Sequence, residues 1–278
     1  MIGVFDSGHG GLTVLRALHQ SLPAHDFLYL GDHADAPYGD RPPEEIYHLT
    51  LAGMSRLFER GARLIIVACN TASAVALRRL QQTWLDHAWP GRRVLGVLVP
   101  MVEAVTGVPW MADVAASRQA GEARTIGIFA TSRTVDSGAY PREIAARAPE
   151  VRVVQQACPE LVPLIEHDAS RIQLEDAVRR YVDGLMIQLD GVVPQAVMLG
   201  CTHYPLVADL FIANLPAGVE VLSQPDLTAK SLRAYLDRHP EFDQPGRGEV
   251  KFITTGDADR ITTLATRFFG KPARFERV

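Results

Sequence analysis

The chain has 278 residues, of which 47% are hydrophobic and 22% charged, the profile of an ordinary globular protein with room for two modest domains. A formal net charge of −4 supplies no basic surface, so no nucleic-acid partner is expected. The first residues, MIGVFDSGHGG, lack a basic stretch, and the longest apolar run, VLGVLVPMVEAV, is short and carries Pro100 and Glu103; no export signal, membrane span or membrane partner is expected, and the location expected is the cytoplasm.

Short β-rich apolar runs alternate along the chain with amphipathic stretches. The strands expected are IGVF (2–5), FLYL (27–30), LIIVA (64–68), VLGVLV (94–99), TIGIF (125–129), VRVV (151–154), AVML (196–199) and VEVL (219–222). Between them LTVLRALHQSL, EEIYHLTLAGMSRLFERG, TASAVALRRLQQTWLDHA and LEDAVRRYVDGLMIQL have helical spacing. Strands alternating with helices of this length predict βαβ units, hence an α/β fold with mostly parallel central sheets covered on both faces. Residues 108–123 have weak periodicity and predict a loop or short helix, and 238–249 read as a polar loop.

The chain also repeats itself. IGVFDSG (2–8) is echoed by IGIFATS (126–132), and LIIVACNTAS (64–73) by AVMLGCTHYP (196–205), with FLYLGD placed like VRVVQQACP between them. A twofold repeat predicts two pseudo-symmetric α/β domains with an active site in the cleft between them. The expected division is residues 1–99 with 207–278 in the first domain and 100–206 in the second, the break lying where a strand meets Pro100.

Ligands of parallel α/β sheets gather beyond the carboxyl ends of the strands. Four loops there carry polar residues: Asp6-Ser7-Gly8, Pro37-Tyr38-Gly39, Cys69-Asn70-Thr71 and Cys201-Thr202-His203. The two cysteine loops hold matching places in the repeat. If the halves face one another, the thiols approach one substrate atom from opposite sides, the arrangement that inverts a stereocentre by removing a proton from one face and adding one to the other. A free thiol is only a few per cent thiolate at neutral pH, so each needs local help; Asp6 and His203 are candidates for proton handling. Helix N-termini, Ser7, Asn70, Thr71 and Thr202 are candidates for holding substrate carboxylates and an ammonium group.

Other readings fit less well. GHGGLT resembles a dinucleotide fingerprint, but Thr13 stands where its third glycine belongs. A zinc site would need more than Cys69, Cys201 and His203, and neither a C-x-x-C pair nor a second histidine accompanies them. The lysines are Lys230, Lys251 and Lys271, none in a motif loop, which argues against a pyridoxal Schiff base. Cys158, without a matching polar loop, is assigned to packing.

Taken together, DSGHGGLTV, GDHADAPYG, VACNTASA, ATSRTVDSGAY, ACPELVPLIE and LGCTHYPL resemble, in order and over roughly three-quarters of the chain, the glutamate racemases of the cofactor-independent aspartate/glutamate racemase family. The resemblance implies that Cys69 and Cys201 are the catalytic acid/base pair, the first acting on the D-isomer and the second on the L-isomer. It further implies that Asp6 and His203 assist the thiols and that Glu166 is a secondary helper. Asp6, Ser7, Tyr38, Gly39, Asn70, Thr71, Thr202 and His203 would line the substrate site, with Thr131 and Thr134 from the second domain. It implies glutamate as substrate, no cofactor, a homodimer, and supply of D-glutamate for peptidoglycan; aspartate racemase or a related two-cysteine isomerase is the alternative. His9 and Arg133 stand where smaller residues are usual in that family, which bears on specificity.

Overall fold

The computed structural model describes residues 1–109 and 124–278; the unassigned stretch 108–123 therefore lies, from residue 110 on, outside the described residues. Among the described residues the strands form two wholly parallel sheets. The first comprises β1 (Ile2–Asp6), β2 (Phe27–Gly31), β3 (Leu64–Val67), β4 (Arg93–Gly96), β9 (Val250–Thr254) and β10 (Phe275–Arg277), in the order β10-β9-β2-β1-β3-β4. The second comprises β5 (Thr125–Ala130), β6 (Arg152–Ala157), β7 (Ala196–Gly200) and β8 (Glu220–Ser223), in the order β6-β5-β7-β8. The repeat read from the sequence is thus a repeat of topology: β2-β1-β3-β4 and β6-β5-β7-β8 are the same order, and the first sheet adds β9 and β10 at one edge.

These segments are strands because they are apolar on both faces. Every residue of β1, β2, β3, β5 and β7 is buried, as expected of parallel strands covered above and below by helices. The covering helices start on clear local signals. Helix α2 (Pro43–Glu59) has proline at its first position and Glu44 and Glu45 in its first turn, where a missing N–H costs nothing and negative charge meets the helix dipole. The helix Arg171–Gln188 opens on a capping box made by Ser170 and Gln173.

The chain divides into two compact units, Met1–Val97 with Pro225–Val278, and Leu98–Gln224. This differs from the expected division at two places. The apolar run 94–99 is strand only to Gly96; Leu98 already begins the helix Leu98–Thr106. Pro100 sits in its first turn, where the backbone N–H has no helical partner to lose. Residues 207–224 belong to the second unit, because β8 hydrogen-bonds to β7 with Ala196 opposite Glu220. The chain returns to the first unit only through the helix Gln224–Arg238. No helix among the described residues is long and apolar enough to cross a membrane.

In the first unit the core lies between α2 and the sheet, where Ile46, Met54, Leu57 and Phe58 meet Phe5, Leu30, Ile65 and Val67. Gly53 of α2 sits over the Phe5 ring, and a Cβ added there would come within 2.2 Å of Phe5 Cε2. Phe5 immediately precedes Asp6, so this contact fixes the end of the strand that carries the candidate carboxylate. Gly53→Ala gains about 1 kcal/mol of helix propensity but overpacks a closed core at a cost of about 2–3 kcal/mol, and we expect a net loss of about 1–2 kcal/mol in denaturant unfolding. An unchanged midpoint would show that the helix can lift from the sheet without penalty.

Candidate active site

The site residues of the first unit stand at the ends of β1, β2 and β3. Phe5 is opposite Val67, and the Ala68 N–H donates to the Phe5 carbonyl at 2.8 Å, which brings the residues following both strands side by side. Asp6 is fully buried and its Oδ2 accepts the Gly8 N–H at 3.0 Å, closing the Asp6-Ser7-Gly8 turn on itself. Tyr29 donates to the Gly8 carbonyl at 2.6 Å and pins the turn from β2. Cys69 caps the helical run 70–88, its Sγ accepting the Ala72 N–H at 3.4 Å and lying 3.6 Å from Ser7 Oγ. An N-terminal helix position favours thiolate over thiol. The residues Ser73–Leu77 that follow form a π turn, a feature often found at functional sites. Asn70 and Thr71 are buried beside Cys69. Tyr38, next to Gly39 in a short 3₁₀ turn, is buried in the same unit and donates to Asp32 Oδ2 at 2.6 Å. Burial, then the charge of Asp32, then that of Cys69, holds its phenol well above the usual range, so it stays protonated.

In the second unit the equivalent ends belong to β5, β6 and β7. Cys201 directly follows β7, and its Sγ lies 3.8 Å from His203 Nδ1. His203 Nε2 in turn meets Glu166 Oε1 at 2.8 Å, Glu166 being the last residue of the helix Leu161–Glu166. Burial by itself would lower the imidazole pKa; the hydrogen bonds to Cys201 and Glu166 overcome it and hold His203 at about 10. A protonated His203 offers one N–H to the sulfur and the other to the carboxylate, an arrangement that stabilises negative charge on Cys201. Burial and the charge of Cys201 also hold the Tyr140 phenol up. Thr131 caps the helix Ser132–Asp136, accepting the Thr134 N–H at 3.3 Å and lying 3.0 Å from the Thr134 hydroxyl. Thr202 is buried between Cys201 and His203.

The strand registers make the two thiols equivalent. Ile2 is opposite Leu64, and Ile126 is opposite Ala196. Cys69 lies five residues beyond Leu64, and Cys201 five beyond Ala196. The carboxylates at the ends of β1 and β2, by contrast, are not repeated. The counterpart of Asp6 is Ala130 and that of Asp32 is Cys158, by the same registers. Cys158 itself is a packing thiol: burial, followed by the charge of Cys201, pushes its pKa up, and its Sγ lies 3.6 Å from the Gln156 carbonyl.

Asp32 was not singled out from the sequence. Its signal was available, since it directly follows β2 as Asp6 ends β1, but nothing in GDHADAPYG says which of its two aspartates turns inward. His9 and Arg133 have local occupations. The His9 ring stacks on Phe268 at 5.5 Å and lies edge-on to His33 at 4.3 Å, while Arg133 pairs with Asp136 one turn on at 3.6 Å.

The model of one protein family, Asp/Glu/Hydantoin racemase, matches residues 2–232. The chain belongs to that family. It is thereby an isomerase of the racemase class. A glutamate racemase of Caulobacter sp. (strain K31) is 48% identical over 99% of this chain and 99% of its own. Among solved structures, glutamate racemase from Francisella tularensis in complex with D-glutamate has a TM-score of 0.83 at 27% identity, covering 100% of this chain and 96% of that one. Glutamate racemase from Thermus thermophilus in complex with beta-chloro-D-alanine has a TM-score of 0.79 at 35% identity, with coverage of 100% and 96%.

The raised pKa of His203 ties stability to pH. A group held at about 10 against an ordinary 6.5 contributes stability that is complete below pH 6.5 and lost as pH rises through 10. His203→Gln should therefore cost more stability at pH 6.5 than at pH 10 in urea unfolding, and Glu166→Gln should shrink the wild-type loss and bring its upper end to lower pH, the onset staying near pH 6.5. A cost independent of pH across this window would show that His203 is neutral in the folded protein.

Proposed function

We propose that this chain interconverts L- and D-glutamate by a two-base proton transfer in which Cys69 and Cys201 act on opposite faces of the α-carbon. One thiolate removes the α-proton, the other thiol donates a proton to the opposite face, and the roles exchange in the reverse direction. The observation that carries the reading is the equivalence of the two cysteines: one topology, repeated, ends each β3-like strand in a thiol at the start of a polar turn. A protein needing a single nucleophile has no use for the second.

The environments of the thiols support a division of labour. Cys201 has a protonated imidazole backed by a carboxylate, which suits it to act as a base, and the resemblance to the glutamate racemases implies that it acts on the L-isomer. Cys69 has the Ala72 N–H and the Ser7 hydroxyl nearby, with the Asp6 carboxylate one residue before Ser7. Tyr38, Gly39, Asn70, Thr71, Thr131, Thr134 and Thr202 are assigned to holding the substrate. Glutamate is favoured as substrate because the relatives at 48% identity over the full length are glutamate racemases. The same kinship supports the wider reading: a cofactor-independent homodimer of the cytoplasm that supplies D-glutamate for peptidoglycan.

In D₂O the chain should place deuterium at the α-carbon of glutamate, not of aspartate, in both directions. Cys69→Ser and Cys201→Ser should each lower racemisation by at least about 10³-fold, because a serine hydroxyl is too weak an acid to replace either partner. Dialysis against a chelator or treatment with a carbonyl reagent should leave activity intact. Wild-type turnover in either single variant would eliminate the two-thiol assignment, and exchange on aspartate alone would move the substrate to the shorter homologue.

A further inference from the structure

Asp32 joins two segments that are remote in the chain. Strand β9 lies beside β2 with Thr254 opposite Gly31, so the turn after β9 meets the turn after β2. There the Thr255 hydroxyl donates to Asp32 Oδ1 at 2.7 Å and accepts the Ala34 N–H at 3.1 Å. The other carboxylate oxygen takes the Tyr38 hydroxyl at 2.6 Å, and the Asp32 N–H donates to the Asp6 carbonyl at 2.9 Å. Thr254 grips the same turn one residue on, its Oγ1 lying 2.9 Å from His33 Nδ1.

Asp32 is therefore held at both ends. One oxygen faces the C-terminal segment and the other faces the loop that carries Tyr38 and Gly39, with its backbone tied to the strand that carries Asp6. Thr255, like Thr254, comes from outside residues 2–232, the span matched by the family model. Its single hydroxyl serves as donor to the carboxylate and acceptor from the amide two residues on, so it fixes the side chain and the backbone of one turn together. Tyr38, its hydroxyl committed as hydrogen-bond donor to Asp32, is locked in one orientation over the same core that holds Cys69.

We propose that Thr255 is a positioning residue for the substrate site, acting through Asp32 to hold Tyr38 and the Ala34–Gly39 loop in their binding geometry. The proposal rests on the glutamate reading above. It assigns Thr255 to substrate affinity and not to proton transfer, since the bonds it makes reach the loop and not the thiols.

The test compares Thr255→Val, Thr255→Ala, Thr255→Ser, Tyr38→Phe and the double variant Thr255→Val/Tyr38→Phe by circular dichroism, starting from each isomer of glutamate, with unfolding temperatures measured alongside. Thr255→Val keeps the shape and loses the hydroxyl; it should raise KM for both isomers about tenfold and leave kcat within about twofold, the pattern of lost ground-state binding. Thr255→Ser should restore KM to within about twofold. The double variant should be no worse than the poorer single, because both substitutions cut one chain of bonds. If Thr255→Val does not fold, Thr255→Ala is read in its place. A lowered unfolding temperature with wild-type KM would reduce Thr255 to a structural bond, and losses that multiply in the double variant would break the route through Asp32. Absence of glutamate turnover in the wild type would overturn the functional reading itself, an outcome separate from either of these.

Discussion

The register between neighbouring parallel strands is the constraint on which the candidate site depends. With Phe5 opposite Val67, the residues following β1 and β3 emerge together, and Ser7 comes to lie beside Cys69. A slip of one residue in either pairing would turn the side chains to the other face and separate them. That register is secured from below: Phe5 is fully buried, clamped by Gly53 of α2 on one side and by its neighbours in the sheet on the other. Packing of an apolar core therefore decides where polar chemistry can occur at the strand ends.

A duplicated scaffold carries unequal chemistry. The strand order, the position of the thiol and the presence of a polar turn are common to both units, whereas the groups around each thiol differ. Cys201 is coupled to His203 and Glu166, so its thiolate is stabilised by a nearby cation. Cys69 relies on the start of a helical run and on the Ser7 hydroxyl. Physically the two routes serve the same end, since a helix terminus and an imidazolium both lower the energy of a sulfur anion.

Buried hydroxyls and carboxylates are used sparingly and in pairs. Asp6 orders its own turn, Asp32 orders the next, and Thr131 with Thr134 orders the corresponding turn of the second unit. Asp6 and Thr131 do so by accepting a backbone N–H of their own turn, and Asp32 by accepting two side-chain hydroxyls. Turns built in this way keep one conformation without the support of regular secondary structure, which is what a preorganised binding surface requires.

Much of this was legible in the residues alone. Apolar runs of four to six residues, alternating with amphipathic helices, determined the α/β class, and the echo of IGVF by IGIF and of VACNT by LGCTH determined the duplication and the equivalence of Cys69 and Cys201. Such features are local or periodic, so they survive in a linear string. What only the tertiary structure decided depends on which strands become neighbours. That β8 stays with the second sheet, that β9 inserts beside β2, and that Thr255 thereby meets Asp32 follow from pairings between segments up to 223 residues apart. No pattern within either segment encodes those pairings, because the hydrogen bonds of a parallel edge are the same for any apolar strand and the choice is made by how the helices pack over the completed sheet.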